Sequence, residues 1–169
     1  VSNTADAAAH ADADGPVRAL AGDLYALVVF VHKHCNADLF EAMRVLDLSM
    51  TQLKLLHQLE DAGQEITLKE AAERLPLSLP AASRTVEDLV RRGIVERHED
   101  VTDRRMKRIS LTDDGRSVIR QVNAARLTGL ERFAHTLNDD ERAVLSRALA
   151  ELMRRPDVAV CRPEGRRTP

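Results

Sequence analysis

A chain of 169 residues has room for one compact domain with helical extensions, and a hydrophobic content of 44% supports a packed core. Charged residues at 31% and aromatic residues at 2% suit a helical, soluble protein. The formal net charge of −2 excludes a uniformly basic surface, so affinity for nucleic acid has to come from local clusters of Arg and Lys.

The two cysteines, Cys35 and Cys161, lie far apart without metal-type Cys-x-x-Cys spacing, which fits a reducing cytoplasm better than a disulfide-stapled secreted domain. Residues Val1 to Asp6 have neither a basic region nor an apolar core, so no signal peptide is predicted. No apolar run reaches membrane-spanning length. The expectation is a cytoplasmic protein with no membrane partner.

Residues 1–15 are rich in Ala and Asp, lack large apolar side chains and end at Gly15-Pro16, which predicts a disordered tail. Over 16–47, Leu20, Leu24, Leu27, Val28, Val31, Leu39, Met43 and Leu46 recur at helical spacing, as one long helix or two broken near Asn36. Their apolar surface exceeds what a small module needs, and burial by a partner is the economical explanation. Ser49 and Gln52 then form a Ser-x-x-Gln capping box, with Leu48 and Leu53 spaced as a hydrophobic staple, and that helix stops near Gly63. A second box, Thr67-x-x-Glu70, opens a helix that runs to Leu75, where Pro76 discourages continuation.

Residues 78–112 read as helix, strand, basic loop and strand. Ser78 can cap the helix, Pro80 fits its first turn, and Gly93 suits a left-handed stop. Ile94-Val95 starts a strand, and Ile109 and Leu111 alternate with Arg108 and Ser110 on a second. The intervening loop is 97–107, and its Arg104, Arg105 and Lys107, with their neighbour Arg108, crowd positive charge at the end of the hairpin. A hairpin of this kind beside a short polar-faced helix is a winged helix-turn-helix, able to put the helix in a major groove and the loop against phosphate or a minor groove. Thr112 can cap the following helix, with Asp113 and Asp114 at the positive end of its dipole and an apolar stripe from Val118 through Val122, Ala125, Leu130 and Phe133 to Leu137. Asn138-x-x-Glu141 restarts a helix with Val144, Leu145, Ala148, Leu149 and Leu152 on one face, and residues 156–169 read as a flexible tail.

The run from Leu48 to roughly Leu127 resembles the MarR family of bacterial transcription regulators. The blocks that carry it are Leu48 to Leu53, Leu68 to Leu75, Ser78 to Val95, and the wing from Asp103 through Leu111-Thr112 to Gly115. One departure is Val101, where a Pro often follows the acidic residue entering the wing; another is Pro76, which shortens the turn before the recognition helix. The predicted fold is mainly α with a small β-hairpin wing: a winged helix-turn-helix over 48–112 between dimerisation helices at 16–47 and 113–155.

Within this frame Ser78, Pro80, Ala81, Ser83 and Arg84 form a docking face of short side chains, with Arg84 able to pair bidentately with guanine. Arg84 could instead salt-bridge Asp88 four residues on. The resemblance maps an Asp-x-Arg motif onto Asp103 and Arg105, with the Asp bracing the wing and the Arg entering the minor groove. Arg104, Lys107 and Arg108, together with Thr67 and Lys69 at a helix N-terminus, are candidates for phosphate contact.

The two terminal helical regions imply a homodimer whose recognition helices lie ~34–36 Å apart, on a pseudo-palindromic double-stranded operator. The resemblance further implies a repressor released by an aromatic or anionic small-molecule effector, with Tyr25, His32 and His57 as candidate lining. Cys35 with His32, His34 and His57 leaves open a redox-sensing regulator or a zinc site, against a bland reading of a small buried Cys and surface histidines. A winged-helix protein-interaction module without DNA binding also stays open. No enzyme, metal or cofactor pattern is present: nucleophile-elbow, metalloprotease and Gly-rich phosphate-loop spacings are absent.

Overall fold

The computed structural model describes residues 3–100 and 106–161, with side chains from residue 15 onward. Helix α1 spans Asn3–His34 and α2 spans Ala37–Val45, so the N-terminal region is two helices broken at Asn36. The Asn36 side-chain amide donates to the His32 carbonyl at 3.2 Å, satisfying one of the carbonyls that the break frees. Helix α1 starts well before Gly15-Pro16, where the composition predicts a disordered tail. Alanine is the strongest helix former, and Ala5, Ala7, Ala8, Ala9, Ala11 and Ala13 favour helical backbone without any large apolar side chain.

Helix α3, Met50–Ala62, begins with the predicted capping box: the Ser49 hydroxyl accepts from the Gln52 N–H at 3.2 Å, and the Gln52 carbonyl oxygen accepts from the Ser49 N–H at 2.7 Å. Helix α4, Leu68–Arg74, repeats the device with Thr67 and Glu70. Between them lies strand β1, Ile66–Thr67, too short to show alternation in sequence. It pairs antiparallel with β3, Lys107–Leu111, which pairs in turn with β2, Val95–Glu99, in the order β1-β3-β2. The hairpin is therefore one side of a three-stranded sheet. Strand β2 also continues to Glu99, so Arg97, His98 and Glu99, predicted as loop, lie on a ladder opposite Ile109, Arg108 and Lys107.

Helix α5, Leu79–Arg91, buries Ala82, Val86 and Leu89. Its end forms a Schellman motif, with Ile94 N–H donating to the Leu89 carbonyl at 3.0 Å and Gly93 N–H to Val90 at 2.9 Å. This requires the left-handed backbone of Gly93, at φ +69°, where a β-carbon would be strained. The core gathers Leu53, Leu56 and Leu59 of α3, Val86 and Leu89 of α5, and Ile109 and Leu111 of β3. Each such side chain contributes about 1.5–3 kcal/mol on full burial.

Helix α6, Asp113–Thr136, is capped by Thr112, whose hydroxyl accepts from the Gly115 N–H at 3.0 Å. The side it turns to the core carries Gly115, Ile119, Val122 and Gly129, where the predicted stripe has Ala125 and Leu130. Glycine carries no hydropathy signal, so a face chosen for close backbone approach is invisible to periodicity. A β-carbon on Gly115 would sit 2.2 Å from the Ile94 carbonyl oxygen, and one on Gly129 would sit 1.8 Å from the Cys35 carbonyl oxygen.

Helix α7, Asp139–Leu152, buries none of its residues, and the described part of α1 leaves Leu20, Leu24, Leu27, Val28 and Phe30 exposed. A short α8, Pro156–Ala159, stands in place of the start of the predicted flexible tail; Pro156 favours it by sitting in the first turn, where its missing N–H costs nothing. No helix among the described residues is long and apolar enough to cross a membrane.

Gly115→Ala and Gly129→Ala should each destabilise the fold by about 1–3 kcal/mol, because backbone must move to admit the methyl group. Gly22→Ala, with nothing within 4 Å of its added β-carbon, should be neutral or stabilising. Urea unfolding of the three variants checks this ordering.

Candidate nucleic-acid interface

Three ties seat α5 against its neighbours. The Gln52 amide of α3 donates to Asp88 Oδ2 at 2.7 Å. Arg92, at the C-terminus of α5, donates Nη1 to the Asp47 carbonyl at 2.8 Å and Nη2 to the Leu46 carbonyl, meeting the free carbonyls at the end of α2. Arg91 donates to Asp88 as well, and its guanidinium is the largest influence holding the Asp88 carboxyl below its ordinary value. Asp88 is thus committed to Gln52, Arg91 and Arg92, and not to Arg84. Arg84 is exposed and has no ion pair among the described residues.

The other predicted docking residues fall along the start of the same helix. Ser78 and Pro80 are exposed and Ala81 is half-buried. Ser78 caps α5 through the Ala81 N–H at 3.4 Å. Ser83 donates its hydroxyl to Glu87 at 2.8 Å, and Glu87 also lies 3.9 Å from Arg97 of β2. On α4, Lys69 is exposed with Glu73 at 3.8 Å, whereas the Thr67 hydroxyl is fully used in its capping box, donating to Glu70 at 2.8 Å. Glu70 answers with a carboxyl held low, chiefly by the Thr67 backbone N–H.

In the wing two residues predicted to contact phosphate, Arg108 and Lys107, make ion pairs within the hairpin. Arg108 Nε donates to the carboxylate of Asp100, the single buried charged side chain among the described residues. Lys107 donates to Glu99 at 2.7 Å, and its ammonium holds that carboxyl below the ordinary range. Strand register decides both pairings, by setting Glu99 opposite Lys107 and His98 opposite Arg108. Both basic residues are engaged inside the hairpin rather than held out from it. Asp100 also donates its N–H to the Met106 carbonyl at 3.1 Å, closing the hairpin stem. Asp103, Arg104 and Arg105 lie outside the described residues.

Asp100, Arg92 and the reach of Gln52 to Asp88 carry no signal that sequence reasoning picked up. Asp100 is one of several acids in a charged run, and nothing local marks it as buried.

The candidate ligand residues do not converge on a cavity. Tyr25 and His32 are exposed, His32 lying 3.4 Å from the Asn36 amide, and His57 is half-buried. Two shallow grooves are lined by other side chains. One, of about 350 Å³, lies between α2 and α6 and includes Asp38, Glu41 and Gln121. The other, of about 180 Å³, lies between the end of α1 and α6 and includes Phe30, His34, Arg132 and Phe133. Phe30 stacks at 4.7 Å on His34 and 5.3 Å on Phe133, while Arg132 pairs with Asp38 across α6 and α2. Cys35 is buried, has its backbone against Gly129, and is among the residues lining this second groove. No group of three or more His, Cys, Asp or Glu among the described residues is placed to hold a metal.

Residues 46–106, which hold α3, β1, α4, α5 and β2, match the model of the MarR family. Over those residues the chain is similar to the MarR family. Among solved structures of this family's fold, the YusO protein of Bacillus subtilis is 25% identical, covering 84% of this chain and 97% of its own, with a TM-score of 0.62. RV1404 of Mycobacterium tuberculosis is 26% identical over 83% of this chain and 94% of its own, with a TM-score of 0.64. A mutant of E. coli MarR complexed with operator DNA is 27% identical over 78% of this chain and 94% of its own, with a TM-score of 0.51. MarR-family proteins are transcription regulators rather than enzymes.

Removing either partner of Asp100–Arg108 should cost about 1–3 kcal/mol, because it takes away a charge-assisted hydrogen bond to a buried carboxylate. The Asp100→Ala, Arg108→Ala double variant should cost clearly less than the sum of the singles; strict additivity in denaturant unfolding would contradict the pairing.

Glu70, Asp88 and Glu99 are all held low when folded, so their contribution is complete above the ordinary values of 4.5 for Glu and 3.8 for Asp. It is lost as pH falls through the lowered folded values. Glu70→Gln should therefore make stability depend less steeply on pH below about 4.5, measured as the urea midpoint across an acid series.

Proposed function

We propose that this chain is a MarR-family regulator, a homodimeric, sequence-specific DNA-binding repressor released from a pseudo-palindromic operator by a small aromatic or anionic ligand. The observation that carries the DNA reading is the outward face of α5. Arg84 stands exposed and unpaired there among small side chains, on a helix whose own acids are tied to other partners. A free guanidinium on such a helix suits bidentate pairing to guanine. The similar E. coli protein in complex with operator DNA supports the same use of the fold.

Dimerisation is supported by the apolar faces of α1 and α7, which this chain leaves uncovered although they carry Leu20, Leu24, Val28, Val144, Leu149 and Leu152. A two-fold dimer would cover the same patch on both copies. The effector reading rests on the groove between α1 and α6, which offers two aromatic rings and the Arg132 guanidinium in place of the expected Tyr25, His32 and His57. An anion there would compete with Asp38 for Arg132.

The test is fluorescence-anisotropy binding to DNA upstream of the gene, beside scrambled DNA, at two salt concentrations. The expected outcome is tight, salt-dependent binding lost on scrambling, and a roughly 10–100-fold weakening in Arg84→Ala, in line with ~1–3 kcal/mol for a bidentate base contact. Equal weak binding to both DNAs, with Arg84→Ala silent, would favour a protein-interaction module instead.

A further inference from the structure

Resting on the reading of α5 as a recognition helix, we infer that Leu79 and Pro80 make it a reader of thymine, through the C5-methyl group in the major groove. Leu79 is the first residue of α5 and half of its surface is exposed, although it is a large apolar side chain. Pro80 beside it is exposed as well. The outward polar residues further along the helix are bound to one another: Ser83 to Glu87, Glu87 to Arg97, and Asp88 to Arg91. The outward side chains left unengaged among the described residues are Leu79, Pro80 and Arg84.

Helix-turn-helix proteins present the N-terminal residues of this helix to base edges. In the major groove the thymine methyl is the apolar feature of the base-pair edges, and an aliphatic side chain is its natural contact. Pro80 has no N–H that would need a hydrogen-bonding partner, so its ring can approach the methyl without stranding a donor of its own. Leu79 and Arg84 are five residues apart, about 7.5 Å along the helix. Each half-site should therefore hold a thymine within about two or three base steps of the guanine read by Arg84.

The experiment selects a tight-binding duplex from random DNA with the whole protein, then replaces each dT singly by dU, which removes the methyl and leaves every hydrogen-bonding group in place. One thymine per half-site should lose about fourfold in affinity, the ratio that corresponds to withdrawing one buried methyl group. Leu79→Ala, at an exposed position that leaves the core untouched, should discriminate dT from dU less than the wild type does. If the selected duplex binds specifically yet no dU replacement matters, or if Leu79→Ala keeps the discrimination, the inference is overturned while the DNA-binding reading stands. If selection enriches no sequence, that reading falls and the inference with it.

Discussion

One carbonyl oxygen, that of Ile94, fixes the geometry of the reading head. It accepts from the Thr112 N–H at 3.2 Å and the Thr112 hydroxyl at 3.0 Å, and the α-carbon of Gly115 packs so close to it that no side chain fits between. The Thr112 hydroxyl accepts from the Gly115 N–H in the first turn of α6, and its one proton is shared between the Ile94 carbonyl and the Gly93 carbonyl, the latter at 2.7 Å, in the turn that ends α5. The end of the recognition helix, the base of the wing and the start of α6 meet at this point. The Leu-Thr-x-x-Gly run is thereby a joint: Leu111 fills the core, Thr112 makes the hydrogen bonds, and Gly115 allows the approach.

From that joint α6 runs 24 residues, about 36 Å. At its far end Gly129 lies against the Cys35 backbone where α1 gives way to α2, and Phe133 meets Phe30. A single helix thus connects α5 to the region whose apolar residues stay exposed among the described residues. In the proposed dimer this connection sets how far apart the two recognition helices stand. The Arg132–Asp38 pair and the groove beside it sit along the same connection, so a ligand there would act on head spacing rather than on the DNA-contacting residues themselves.

What was legible in the sequence was local. The Ser49, Thr67 and Asn138 capping boxes and the Gly93 stop involve residues a few positions apart, and each formed as its spacing implied. The unburied stripes of α1 and α7 could also be read, because a hydrophobic period shows whether or not its partner is in the chain. What escaped depends on register or on close approach. Asp100 finds Arg108 only because two strands pair in one alignment, and Gly129 matters only because another backbone passes over it. The same register pairs Lys107 with Glu99, since a run of mixed charge does not say which acid meets which base.

The account's central claim is that a second copy covers the α1 and α7 faces and that DNA reading depends on it. Sedimentation equilibrium tests this most directly, on the wild-type chain and on a Leu24→Glu, Val28→Glu variant that puts charge into the exposed stripe. The wild type should sediment at twice the 18.8 kDa chain mass, and the variant at the single mass with its helical content kept and its operator binding lost. A wild-type protein at the single mass, or a monomeric variant that binds operator DNA as tightly as the wild type, would contradict the account.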